Sequence, residues 1–407
     1  WMTSLLLLWG MAVAVQGQHS QNHLPTGRSV EEAAEQVLLS LGMEEVRVAQ
    51  TDSVCTVAYE DNIYRGTYRG LAAVAERLRK LPEAEQAVRY ELVVLDDRIP
   101  RLLLTLPREV EALEVSYDTD EAMRRLKGKE SRNRMAGRVD VVLYPELFLQ
   151  NSWLDKLYGV AVNFSPAIEM DLWKGAVLTG QVVLPVYTNM TDFRKYIRPG
   201  VITLRQEFRL PGGVLGRLTA GNFTGNRMGV DAALRYQPAR GRWLVGANVG
   251  LTGSSTCYGG EWVVSTWRRV SGSVWGRYNE PHYGLQIDLA AVRLVYGDMG
   301  ARLDCRRHFG EVTVGVYGLF TDGEMNGGFH FALPIPGTKR GKRRAVRFRL
   351  PEYFVHEYRA RHGGSYGDEL LGYSYEVRPD ENGSRGYDAP DFIKKEILRI
   401  VTKSFPV

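Results

Sequence analysis

The chain has 407 residues, and 52 Lys and Arg against 47 Asp and Glu leave a formal net charge of only +5 at pH 7. That mild excess gives no sign of a nucleic-acid-coating surface, and a mean hydropathy of −0.24 excludes a bundle of transmembrane helices. Its 43 glycines and 21 tyrosines suit a large β protein with many turns and aromatic strand ends.

Leu5 to Val15 is an apolar run too short for a bilayer-spanning helix, which needs about 20 residues. It ends in small residues before the polar stretch Gln18 to Asn22. Residues 1–17 are therefore expected to be a secretory signal peptide, although Trp1 to Ser4 carries no basic side chain. No cysteine follows the run to take a lipid anchor. No later run is apolar enough for a transmembrane helix, so an exported chain either stays in solution or crosses a membrane as a barrel.

Residues 29–117 mix both periods. Val30 to Leu41 places Val30, Ala34, Val37, Leu38 and Leu41 on one helical face, and Gly70 to Leu81 repeats the pattern. Val46 to Val48 and Val54 to Tyr59 are β-like, and Tyr90–Leu95 with Arg101–Leu106 predicts a hairpin across Asp96 to Pro100. A small periplasmic α/β domain is the expectation. Residues 118–136, charged and poor in apolar side chains, are expected to be a linker.

From residue 137 to 335 the period is two. Met228, Val230, Ala232, Leu234 and Tyr236 alternate with Gly229, Asp231, Ala233 and Arg235. Tyr283 to Leu289 and Val312 to Phe320 alternate likewise. Lipid on one face and water on the other require this texture; a soluble β-sandwich would alternate too. The connections favour the membrane. Tight turns at 173–175, 211–213, 238–241, 279–281 and 308–310 alternate with longer loops at 189–200, 252–266, 293–299 and 321–326. The predicted fold is mainly β, an outer-membrane antiparallel up-and-down β-barrel of about twelve strands behind the α/β domain. An even strand number puts both ends of the barrel on the short-turn, periplasmic side.

Residues 336–407 are expected to be a C-terminal periplasmic extension. It opens with the basic run Lys339, Arg340, Lys342, Arg343 and Arg344, a candidate patch for acidic polysaccharide or lipid phosphate, or simply a solvated loop. Val346 to Tyr358 reads as extended, 363–388 as loop, and Pro390 to Lys403 as a helix with Phe392, Ile393, Ile397, Ile400 and Val401 on one stripe.

The inward parity carries the candidate functional residues: Arg205, Glu207 and Arg209 on one strand, Asp231 and Arg235 on another, Gln286 and Asp288 on a third, Arg302, Asp304 and Arg306 on a fourth. Both charge signs suit a hydrated channel or ion pairs filling a narrow barrel. The motifs of serine hydrolases, zinc proteases, nucleotide-binding loops and CxxC sites are missing. Asp304 with His308, at the end of a strand, fits a structural pair better than a metal site. Cys55, Cys257 and Cys305 lack metal spacing, though Cys257 and Cys305 could pair in an oxidising compartment. No catalytic residue, cofactor, metal or nucleic-acid partner is expected.

Two stretches bear a resemblance: Gly297-Asp298-Met299-Gly300-Ala301-Arg302-Leu303 with Arg306-Arg307-His308-Phe309-Gly310, and Gly328-Phe329-His330-Phe331-Ala332-Leu333-Pro334-Ile335. With Gly315-Val316-Tyr317, Thr321-Asp322 and the upstream Val57 to Arg65, they resemble the YjbH family, outer-membrane proteins linked to exopolysaccharide production. The resemblance implies a non-enzymatic barrel in a Gram-negative outer membrane, meeting lipid, polysaccharide and periplasmic partner proteins, and assisting export or assembly of an exopolysaccharide. The alternative is a plugged structural or assembly factor of the cell envelope that acts through its periplasmic domains. A hydrolase would need an acid–base constellation that these residues do not supply.

Overall fold

The structure, a computed structural model, describes residues 29–81, 89–108, 112–151, 158–190, 193–359, 371–379 and 389–403; the expected signal peptide lies outside them. With 58% strand and 14% helix the chain is mainly β, arranged as two sheets of unequal size.

The smaller sheet is built from residues near the N-terminal side. Ser29 and Glu32 form a capping box that starts α1 (Val30–Leu41), and Gly42, in the left-handed region at φ 88°, ends it. β1 (Glu44–Thr51), β2 (Val54–Glu60), α2 (Thr67–Arg79), β3 (Arg89–Asp96), β4 (Ile99–Pro107) and β5 (Glu114–Ser116) follow, and the five strands lie in sequence order. Only β2 and β3 pair in parallel, because α2 supplies the crossover that parallel strands need. The β3–β4 hairpin turns on Asp97 and Arg98, both at positive φ, so the expected hairpin is present with a tighter turn. The stretch expected to be a linker is instead packed. α3 (Asp120–Arg125) sets Ala122 and, just past its end, Leu126 against Ala49, Ala58, Val93 and Leu95 on the sheet face opposite α1 and α2. Two apolar side chains four residues apart share a helical face, so even an apolar-poor segment can seal a sheet.

The last helix, α4 (Pro390–Lys403), completes the other face. Phe392, Ile393, Ile397 and Val401 are buried in the same core as α1 and α2, and the Phe392 ring meets Tyr68 edge-on at 6.2 Å. The predicted stripe is therefore a packing face.

The larger sheet has fifteen strands. They are β6 (Val139–Asn151), β7 (Tyr158–Asp171), β8 (Ala176–Thr188), β9 (Arg198–Leu210), β10 (Val214–Phe223), β11 (Arg227–Tyr236), β12 (Trp243–Tyr258), β13 (Glu261–Val264), β14 (Arg269–Glu280), β15 (Leu285–Arg293), β16 (Met299–Phe309), β17 (Val312–Thr321), β18 (Glu324–Pro334), β19 (Val346–Arg349) and β20 (Tyr353–Arg359). From β6 to β18 each strand pairs antiparallel with the next, apart from β13, which pairs only with β12. The strands do not stop at 335 as expected. β20 pairs with β18, and β19 runs parallel to the first residues of β6. β20 and β6, near the two ends of the sheet, lie side by side. No backbone ladder joins β20 to β6, but His356 of β20 donates from Nδ1 to the carbonyl of Leu147 on β6 at 3.0 Å. Two expected loops are also ordered more tightly. Residues 252–266 hold the β12–β13 hairpin, and 321–326 holds a two-residue turn on Asp322 and Gly323, both at positive φ, as an Asp-Gly pair allows.

The faces of this sheet reverse the pattern of a water-soluble core. Ile168, Leu234, Val274 and Val316 are more than half exposed, while Thr203, Asp231, Gln286 and Asp304 are 5% exposed or less. Polar side chains fill the inside, and branched apolar ones cover the outside.

Candidate functional site

The short connections of the larger sheet meet the smaller sheet. Gly175 donates to the Asp97 carbonyl at 2.8 Å and Tyr117 to that of Ala239 at 3.0 Å. Arg65 and Arg69 both grip Glu311, in the β16–β17 turn, at 2.8 Å. Burial pushes the Glu311 carboxyl up, but hydrogen bonds from Arg65 and Arg69 outweigh it and hold the group below its ordinary value. The smaller sheet thus caps one end of the polar interior.

Of the residues singled out on the inward parity, Glu207, Asp231, Arg235, Gln286, Arg302, Asp304 and Arg306 line the larger cavity and Arg205 a smaller one, and the structure supplies counter-ions. Arg205 pairs with Asp97 at 2.7 Å, and Glu207 takes Arg101, Arg205 and, at 3.8 Å, Arg378. Arg209 donates to the Tyr117 carbonyl at 2.9 Å. Asp231 accepts from Arg217 at 3.3 Å and from the Tyr375 hydroxyl at 3.1 Å, and Arg235 lines the cavity beside it. Asp288 accepts from Gln286 at 2.7 Å and from Arg277 at 2.6 Å. Asp304 pairs with Arg302 at 2.7 Å and with Arg306 at 3.4 Å, and Arg302 also reaches Glu357 at 3.1 Å. Asp97, Arg101, Arg217, Arg277, Glu357 and Arg378 were not singled out, because they lie on other strands, on the smaller sheet or on the terminal segment.

The basic run is a fastening as much as a patch. Arg343 is buried between Glu44 at 2.7 Å and Asp171 at 2.5 Å, and Arg340 pairs with Glu352. The Lys339 ammonium sits over the Tyr64 ring at 5.4 Å, and the Lys342 stem lies against Gly42. Arg344 is exposed. Buried carboxylates across the join draw the cations in, which a one-dimensional charge count does not show.

The segment 371–379, expected to be periplasmic loop, runs through the interior. Gly372 donates to Asp298 at 2.9 Å, and Val295 donates to the Tyr373 carbonyl at 3.1 Å. Thr224 donates its N–H to the Glu376 carbonyl at 3.0 Å and receives the Glu376 N–H on its hydroxyl at 2.8 Å. Tyr375 stacks on Phe223 at 5.2 Å, and Arg378 ends beside Glu207 at the capped end. Gly250 makes room for this, because a methyl there would overlap the Tyr375 hydroxyl. The thread divides the interior into cavities of about 750 and 380 Å³. The segment belongs to neither sheet and has no alternation of its own, since its partners come from many strands, so periodicity could not find it.

Among the described residues, Glu60, Asp96 and Asp97 form the one carboxylate group close enough to share a metal ion. Each is already engaged. Glu60 accepts from the Asp97 and Arg98 N–H groups at 2.8 Å, Asp96 pairs with Arg101 at 3.2 Å, and Asp97 with Arg205. Burial, then the Asp97 and Asp96 charges, raise the Glu60 carboxyl well above its ordinary value. Beside it, burial lifts Asp61 to about 6 against the pull of the Tyr64 and Ile63 N–H groups. His308 is held between Thr313 at 2.8 Å and Gln286 at 3.3 Å, a structural role. The three cysteines are free, so Cys257 and Cys305 do not pair. Comparison of the chain with protein-family models, with curated proteins and with solved structures finds no match.

Proposed function

We propose that the larger sheet is an outer-membrane β-barrel, completed at the seam between β20 and β6, and that the segment 371–379 plugs it. The observation that carries this reading is the reversal of the two faces. An apolar outside on strand after strand, around a charged and hydrogen-bonded inside, is stable where the surroundings are hydrocarbon. In water so much exposed Leu, Val, Ile and Phe would drive aggregation. The smaller sheet, at the end of the short turns, would face the periplasm.

For the role, the resemblance to the YjbH family supports a non-catalytic part in exopolysaccharide export or assembly. The thread favours assembly over an open conduit, because it and the smaller sheet both obstruct the interior. Partner proteins would meet the periplasmic side, where the smaller sheet and α4 lie. Two measurements test the reading together. The folded protein should leave outer membranes only with detergent and should run faster on gels before heating than after. Deleting the gene should reduce surface polysaccharide while purified protein stays silent in planar bilayers. Extraction without detergent would sink the barrel, and undiminished polysaccharide the assembly role.

A further inference from the structure

Arginines inside the larger sheet are mostly answered by carboxylates, as Arg205 is by Asp97, Arg277 by Asp288 and Arg302 by Asp304. Arg227, the first residue of β11, has no such partner among the described residues. It is 3% exposed, and its Nε and Nη2 both donate to one neutral acceptor, the Thr252 hydroxyl, at 3.2 and 3.0 Å. Its remaining nitrogen, Nη1, makes no hydrogen bond and keeps some surface open. A buried cation without an opposite charge is costly, so this one points to an anion that comes from outside the chain.

Strand register sets a second guanidinium beside it. Arg269, the first residue of β14, pairs across β12 with Thr252 and is exposed. It stands over the Tyr296 ring at 5.4 Å and, among the described residues, meets no carboxylate. The groups that act most on the Arg227 charge are Tyr296, Tyr373, Arg269 and Tyr375, and none of them is a carboxylate. Tyr373 and Tyr375 already donate, to the Gly225 carbonyl at 2.9 Å and to Asp231 at 3.1 Å. The Tyr296 ring meets Tyr373 edge-on at 5.5 Å, and its hydroxyl makes no hydrogen bond. Two guanidiniums and one hydroxyl therefore gather without a carboxylate between them, at the end of the interior away from the smaller sheet.

We propose that Arg227, Arg269 and Tyr296 bind a phosphate group. Two unanswered positive charges match a phosphate, which carries about −1.5 to −2 at pH 7 and accepts on three oxygens. A carboxylate would answer only one of them. Because Arg269 is exposed, the group can arrive as the free ion or as the end of a phosphate ester. On the proposed topology this mouth faces outward. The site stands without the assembly reading, since binding by purified protein succeeds or fails whatever gene deletion does to surface polymer.

The test is phosphorus-31 NMR on the full chain in an amine-oxide detergent and phosphate-free buffer, with inorganic phosphate and glycerol 3-phosphate as probes. Protein should broaden the phosphate signal; broadening of the ester as well marks a headgroup-like ligand, and of the ion alone a site for free phosphate. Acetate should displace the probe only at about tenfold higher concentration, the worth of one lost charge-assisted contact. Arg269→Gln, on an exposed side chain, should weaken binding about tenfold or more, as loss of a hydrogen bond to a charged group does. Arg227→Gln should abolish it, and phosphate should raise the melting temperature of the wild type but not of this variant. Lys195→Gln removes an equal, exposed charge from the β8–β9 connection at the same end and should bind as the wild type does. Near-ultraviolet circular dichroism reports whether each variant is folded. No broadening of either probe by folded wild type would overturn the site. Equal losses in Lys195→Gln and Arg269→Gln, or acetate binding as tightly as phosphate, would overturn it equally.

Discussion

At the scale of single residues, burial sets the signs of two predictions. Asp61 uses Oδ1 to accept from Ile63 and Tyr64 at 2.9 Å, while Oδ2 is buried without a partner against Gly70. Its carboxyl is lifted to about 6, so the folded protein holds this proton more tightly than the unfolded chain does. Such a group contributes stability below its ordinary value and loses it as pH rises through the folded one. Asp61→Asn keeps the Oδ1 acceptor and removes the titration. Its melting temperature should gain on that of the wild type between about pH 4 and about pH 7, the interval set by the two protonation states; a constant offset would show that the proton is not held. On the proposed lipid face, Leu289 is 58% exposed. Leu289→Arg should cost about 2–4 kcal/mol near the bilayer midplane and lower the heat-modifiable fraction, whereas Leu289→Phe should insert normally. Parity alone was enough to place Leu289 and Asp288 on opposite faces, because the side-chain period of a strand leaves no third choice.

At the scale of elements, legibility followed periodicity. α1 spans the residues that its apolar stripe predicts, and α4 buries four of the five residues of its stripe outright. What failed were segments whose order comes from others. α3 carries too few apolar residues to announce itself, and its packing is evident only once the sheet beneath it exists. β20 was read as extended but not as part of the sheet, since its partners on β18 are 19 or more residues away in sequence. The thread is the clearest case, a segment held by side chains and backbone of β9, β10, β11 and the β15–β16 connection. Gly250→Val should push Tyr375 away from Asp231 and loosen that hold. Planar bilayers should then show intermittent conductance where the wild type is silent; equal silence would mean that the smaller sheet alone closes the interior. Ile397→Ala in α4 should destabilise the smaller sheet by about 2–5 kcal/mol, as truncation in a well-packed core does, measured by denaturant midpoint.

At the scale of the whole molecule, the chain doubles back. β20 climbs from the capped end, the thread descends inside, and α4 docks on the helices with which the description began. The Gly259-Gly260 turn at the tip of the β12–β13 hairpin lies at the far end from α4, so a tag inserted there should be reached by antibody on intact cells. A tag following α4 should not be; the opposite labelling would reverse the orientation. Resemblance and alternation made the barrel proposal possible, but the doubling back has no linear signature, because it joins residues from both ends of the chain. It also imposes an order in time. On the proposed barrel, a helix cannot be drawn through a filled, capped cylinder after the wall has been sealed, so the strands would close around the segment 371–379 already lying in place. Until α4 arrives, the smaller sheet lacks Phe392, Ile393 and Ile397 and keeps an oily gap beside Tyr68. Synthesis cut short anywhere before α4 should therefore yield an exposed, protease-ready intermediate, because α4 is what covers that core.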